Sequence, residues 1–163
     1  MKEIEFAPNL LTNFFNLKVR EACKSCKRYG KKATCPPHID SLDYYKNLLP
    51  QYEYGILIIE EFLIDDLNNW QWLGENSSLF ILNQLWSLRQ ELLDKGYFPI
   101  IFGAGSCKNC KECSFPCKMP DKSAIPIEGT GLDIIGLISY LTDIKLVFPV
   151  KDKFYRIGMI LWD

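Results

Sequence analysis

Histidine is nearly absent from this chain: His38 stands alone among 163 residues. Histidine is the side chain whose unperturbed pKa lies near neutrality, so a single copy leaves little means for ordinary acid–base catalysis at pH 7. Any chemistry is expected to reside in a cofactor. Long apolar runs are missing too, and no stretch approaches the ~18 residues that cross a bilayer. The opening MKEIEFAPNLL has no continuous apolar core and no small-residue cleavage site, so no secretory signal is read. A cytoplasmic location is the expectation, in a reducing compartment where disulfides are uncommon. Net charge is small as well. A balance of −1 and a pI near 5.9 give no global attraction to nucleic acid or to an acidic membrane. Gly103-Ala104-Gly105 lacks both the G-x-G-x-x-G pattern and the Walker lysine, so neither a dinucleotide site nor a P-loop is read.

What is present is an apolar fraction of 48 %, enough for a core, and a length that suits one domain over residues 1–163. Ile4 and Phe6 suggest a short strand, with Pro8 breaking any long element there. Ser41 is placed to cap a helix running to about Leu49, ended by Pro50. Tyr54 to Ile59 is a near-continuous apolar run and reads as a buried strand. Asparagines and Gly74 suggest a loop over 65–78, with Trp70 and Trp72 as packing anchors. Leucines at three- and four-residue spacing predict a helix from Ser78 to Lys95. Phe98 to Phe102 reads as a strand, Leu132 to Leu141 as a helix, and Lys145–Val150 with Phe154–Trp162 as a closing hairpin. This order predicts an α/β or α+β sandwich, with a central sheet of about four strands, flanking helices and a cysteine-rich lobe at one end.

The cysteines carry the strongest signal. Cys107, Cys110, Cys113 and Cys117 read C-x2-C-x2-C-x3-C, the ligand spacing of bacterial-type ferredoxins. Cys23, Cys26 and Cys35 form a second group, and the two groups account for all seven cysteines. The metal-binding segments are expected at 20–40 and 103–133. An odd count and tight spacing argue against a disulfide framework. Thiolates are soft, polarisable donors that suit iron. Two partitions are open. In the first, Cys23, Cys26, Cys35 and Cys117 complete one [4Fe–4S] cube, while Cys107, Cys110 and Cys113 hold another with an open corner. In the second, the four downstream cysteines hold one cube. The upstream three then hold a second cluster or, with His38 in the spacing C-x2-C-x8-C-x2-H, a zinc ion.

Two further features bear on the site. Between Lys18 and Lys32 seven basic residues face one acidic residue, Glu21, a local balance of +6. Such charge can offset an anionic thiolate cluster or steer an acidic redox partner. Aromatic interleaving is limited to Tyr29, so nucleic acid is not the expected partner. After the cysteines, AIPIEGTGLDI carries Glu128 and Asp133. Both are weak catalytic candidates as proton donors or fourth ligands. Asp133, with Thr130, also suits a helix cap.

The segments CKSCKRYGKKATCPPHI and GSCKNCKECSFPCKMPDKSAIPIEGTGLDI together resemble a family of small predicted metal-binding proteins catalogued as a domain of unknown function. The shared features are C-x2-C followed by Tyr29-Gly30 and Cys35-Pro36-Pro37, the ferredoxin-like run, and the block Ile127-Glu128 to Gly131-Leu132-Asp133. The likeness covers about residues 20–60 and 97–141. It implies metal or cluster binding in an oxygen-poor cytoplasm and implies no reaction. The leading expectation is an iron–sulfur protein moving electrons to or from a partner enzyme. The alternatives are an enzyme using an open-site [4Fe–4S] cluster and a zinc- or cluster-stapled interaction module.

Overall fold

The computed structural model describes residues 1–64 and 70–163, except for the side chains of residues 70–72. The packing role expected of Trp70 and Trp72 therefore lies outside the described residues. The elements are β1 (Lys2–Phe6), α1 (Leu17–Ala22), α2 (Leu42–Leu48), β2 (Tyr54–Leu63), α3 (Trp70–Asp94), β3 (Ile100–Gly103), β4 (Ile125–Pro126), α4 (Ile134–Leu141) and β5 (Lys153–Trp162). The strands form one mixed sheet in the order β1-β2-β5-β3-β4. All neighbours are antiparallel except β3 and β4. The fold is α+β, with one strand more than the sequence suggested.

The apolar run of β2 is nearly continuous because both faces of the sheet are covered. Leu57 and Ile59 point to one face, where they join Met159 and Leu161 of β5, Tyr45 of α2 and Leu137 of α4. Ile58 and Ile160 point to the other and meet Ile81, Leu82 and Leu85 of α3. Gly158 allows that second contact. A Cβ there would lie 2.6 Å from Ile81 Cγ2 and 2.8 Å from Leu85 Cδ1. The helix therefore sits almost on the β5 backbone.

Two sequence expectations are corrected. Residues 70–78 are helical, because α3 starts at Trp70 rather than Ser78. The Ser77 and Ser78 hydroxyls donate to the Gly74 carbonyl at 3.1 and 3.0 Å, so these poor helix formers bond back into the turn. The closing hairpin is absent, since Lys145–Val150 forms no strand. β5 already has β2 on one edge and β3 on the other, which leaves no edge for a hairpin partner. Elsewhere the reading holds. Ser41 Oγ accepts from the Tyr44 amide at 3.2 Å to start α2, and Asp133 Oδ1 accepts from the Gly136 amide at 3.0 Å to start α4. No helix among the described residues is long and apolar enough to cross a membrane.

Candidate metal centre

The fold brings the two cysteine segments together. The loop 104–119 leaves the C-terminal end of β3 and carries no helix or strand. The upstream segment joins α1 to α2. Its turn closes at Gly30 (φ +71°), in the left-handed region that glycine enters freely. The Gly30 amide donates to the Pro36 carbonyl at 3.0 Å. Arg20 fixes the surroundings by donating to the carbonyls of Gly129 and, at 2.8 Å, Asp40. The Asn16 amide donates to the Gly131 carbonyl at 2.8 Å, and the Asp133 amide to the Phe14 carbonyl at 2.7 Å. These bonds tie the start of the upstream segment to the loop that carries Glu128.

Two cavities receive the seven thiols. Cys107, Cys110, Cys113 and Cys117 all line one, a tight space of about 10 Å3 whose wall also includes Lys32 and Thr34. That is room for about one water. Cys23, Cys26 and Cys35 line the other, of about 230 Å3, together with Gly105, Ser106 and Glu128. The chain from Lys32 to Pro36 is the wall between them, with Lys32–Thr34 on one side and Cys35–Pro36 on the other. Cys117 therefore sits with its sequence neighbours and not with the upstream three. Among the described residues no three His, Cys, Asp or Glu side chains converge on a point that would hold a single ion. The thiols surround spaces instead.

Backbone amides reach the sulfurs. Ala33 N–H donates to Cys113 Sγ at 3.2 Å, across the gap between the two segments, and Arg28 N–H to Cys26 Sγ at 3.5 Å. Burial pushes the Cys35 thiol up to about 11, reinforced by the charges of Cys26, Cys23 and Cys107. The neighbouring Thr34 hydroxyl opposes that rise, yet its Oγ1 has no partner at hydrogen-bond geometry. Burial and the Glu128 carboxylate likewise raise the Cys23 thiol.

Glu128 faces both the upstream cavity and a third, larger one. Its side chain is exposed to those cavities, and the protein crowded around it raises its carboxyl above the usual range. Asp133 lines none of these cavities; its carboxylate caps α4. His38 is exposed. Its Nε2 lies 3.0 Å from the Gly30 carbonyl and its ring packs 4.5 Å from that of Phe115.

The site holds two cations that sequence reasoning did not single out. Lys32, counted within the basic run, is 8 % exposed and has no carboxylate within ion-pair distance among the described residues. Arg156, electrostatically coupled to Glu128, is a charge in the middle of β5, whose other charged residue, Lys153, stands at its first position. That anomaly was readable, because charged residues in buried strands are rare unless they have a task.

A scan against known families matches residues 13–162, nearly the whole chain, to DUF2284, described as predicted metal-binding protein. The chain belongs to this family. No curated protein and no solved structure matches it. The DUF2284 description is of a predicted metal-binding protein, and the seven cysteines of this chain lie in the two cavities described above.

Proposed function

We propose that this DUF2284 protein is an iron–sulfur protein that exchanges electrons with a partner protein of acidic surface. The observation that carries the reading is the four-thiol cavity with a buried, carboxylate-free Lys32 in its wall. A lysine in that wall would offset the negative charge of a thiolate cluster. The four cysteines have ferredoxin spacing. Ala33 N–H and the unpartnered Thr34 hydroxyl are donors beside sulfur, and such donors tune cluster potentials. A [4Fe–4S] cluster bound there would supply one-electron redox chemistry.

The chain's own residues do the rest. Cys107, Cys110, Cys113 and Cys117 would hold the group; the space of about 10 Å3 between them is smaller than a cubane, so binding requires the irregular 104–119 loop to widen. Lys32 offsets its charge. Exposed Lys18, Lys27 and Lys31, on the segment that carries the exposed Cys26, present a positive face to an acidic partner.

Cys23, Cys26 and Cys35 are read as a second cluster site with a non-cysteine fourth position. A space of about 230 Å3 exceeds what one zinc ion fills, and His38 is engaged at Gly30 rather than in that cavity. One observation favours an enzyme as the second reading: Glu128 borders both this cavity and a larger neighbour, so it is placed to move a proton there.

Potentiometric titration with EPR detection, on protein purified without oxygen, tests the proposal. The expected result is reducible cubane signals, with Cys113→Ala removing one signal and Cys35→Ala another. A protein whose EPR stays silent on reduction, with or without these variants, contradicts it.

A further inference from the structure

The larger cavity beyond Glu128 encloses about 510 Å3. That falls within the range of sites that hold small organic ligands. Its walls come from Ala104, the Glu128 turn, the start of α4, residues 145–152 and the first half of β5. The lining is largely apolar, with Ile134, Leu146, Phe148, Phe154 and Ile157. A minority of charged groups interrupts it. Lys145, Lys151 and Arg156 face Glu128 and Asp152, an excess of one positive charge, while Lys153 is paired with Glu61 at 2.9 Å.

Arg156 is the fixed member of that set. Its Nε–H donates to Ser77 Oγ at 3.0 Å and an Nη2–H to the Gly74 carbonyl at 3.2 Å, both on α3. Its guanidinium lies 5.1 Å over the Phe154 ring. Those two bonds hold the group still but occupy only two of its five N–H donors. Both acceptors are neutral, and no carboxylate lies within ion-pair distance among the described residues. A partly buried guanidinium, held rigid with three donors left over in an apolar cavity, matches the planar fork of a carboxylate.

We propose that this cavity binds a small organic carboxylate, with its anionic end on Arg156 and its apolar body against Leu146, Phe148 and Phe154. Lys145, Lys151 and Lys153 are exposed, so the preference is set by the fixed Arg156 fork, whose spacing fits the two oxygens of a carboxylate. Glu128, which lines both, stands between this ligand and the three-cysteine cavity. Its role as the substrate of that centre rests on the cluster reading above; its binding does not.

Calorimetry on the full chain, purified without oxygen, tests this with phenylacetate, hexanoate, phenylacetamide and phenyl phosphate as probes. One carboxylate binds per chain, and the neutral amide binds about tenfold weaker or worse, as loss of a charge-assisted pair requires. Arg156→Gln weakens phenylacetate by a similar factor. Because Arg156 also ties β5 to α3, a second variant is needed. Val147, 61 % exposed at the cavity wall, is changed to Trp to fill the space; it abolishes binding while the unfolding midpoint stays put. Four results would each overturn the proposal: no carboxylate binding at roughly 10 mM, equal affinity for the amide, tighter binding of phenyl phosphate, or wild-type affinity in Val147→Trp. Iron and sulfide are measured on the same samples. Carboxylate binding by iron-free protein upholds the cavity and counts against the cluster. Iron-replete protein without carboxylate binding sinks the cavity alone.

Discussion

Lys32 is the residue on which the electrostatics of the four-cysteine cavity turn. A unit charge close to a redox centre, at an effective dielectric near 20, is worth on the order of 1–3 kcal/mol. For a one-electron couple that is roughly 40–130 mV. Lys32→Met keeps the stem and removes the charge. It is expected to shift the potential of the cluster to more negative values by that order, with iron content unchanged. An unshifted potential in a redox titration would show that the ammonium does not face the cluster. Tyr45 makes a separate prediction for the core. It is 2 % exposed, and burial, aided by Asp40, pushes its phenol up to about 12. A folded-state pKa raised above the unfolded value near 10 means that stability is complete below pH 10. It falls as pH climbs to about 12, by on the order of 2 kcal/mol. Tyr45→Phe should flatten that part of the curve when unfolding is followed by denaturant across the range.

At the scale of elements, the contact of α3 with β5 decides whether the sheet is covered. Gly158→Val forces a branched side chain into space held by Ile81 and Leu85. Overpacking of this kind costs about 1–3 kcal/mol, read as a lower denaturant midpoint; a wild-type midpoint would mean that the helix rides farther from the strand. The same contact shows what sequence could and could not convey. The leucine spacing announced α3 because an amphipathic stripe is local information. Its first two turns were hidden, because Gly74, Asn76 and Ser77 are poor helix formers. Their helicity depends on the serine hydroxyls returning to Gly74 and on Arg156, distant in sequence, holding the same carbonyl. The apolar strand Phe154–Trp162 was legible. Its central position was not, since strand order depends on pairing between Tyr54–Leu63 and Ile100–Gly103, far away in sequence.

At the scale of the molecule, the central matter is how seven thiols divide. Cysteine spacing within each segment was plain in the sequence, because such intervals are local. The division between segments was left open, since it depends on how the 20–40 loop folds against 103–133. The cavities divide the thiols as four and three, with Glu128 beside the three. Selective loss is the consequence: Cys107→Ser should remove about four irons per chain and leave the upstream group loaded, by the four-iron stoichiometry of a cubane. If that single change empties both groups at once while the fold persists, the sites are not separate.

The most direct test of the account is the count of iron, acid-labile sulfide and zinc per chain in protein purified without oxygen. The account predicts about eight irons with matching sulfide, two cubanes' worth, and no stoichiometric zinc. One or two zinc ions per chain with no sulfide would contradict it, leaving a metal-stapled domain without redox chemistry.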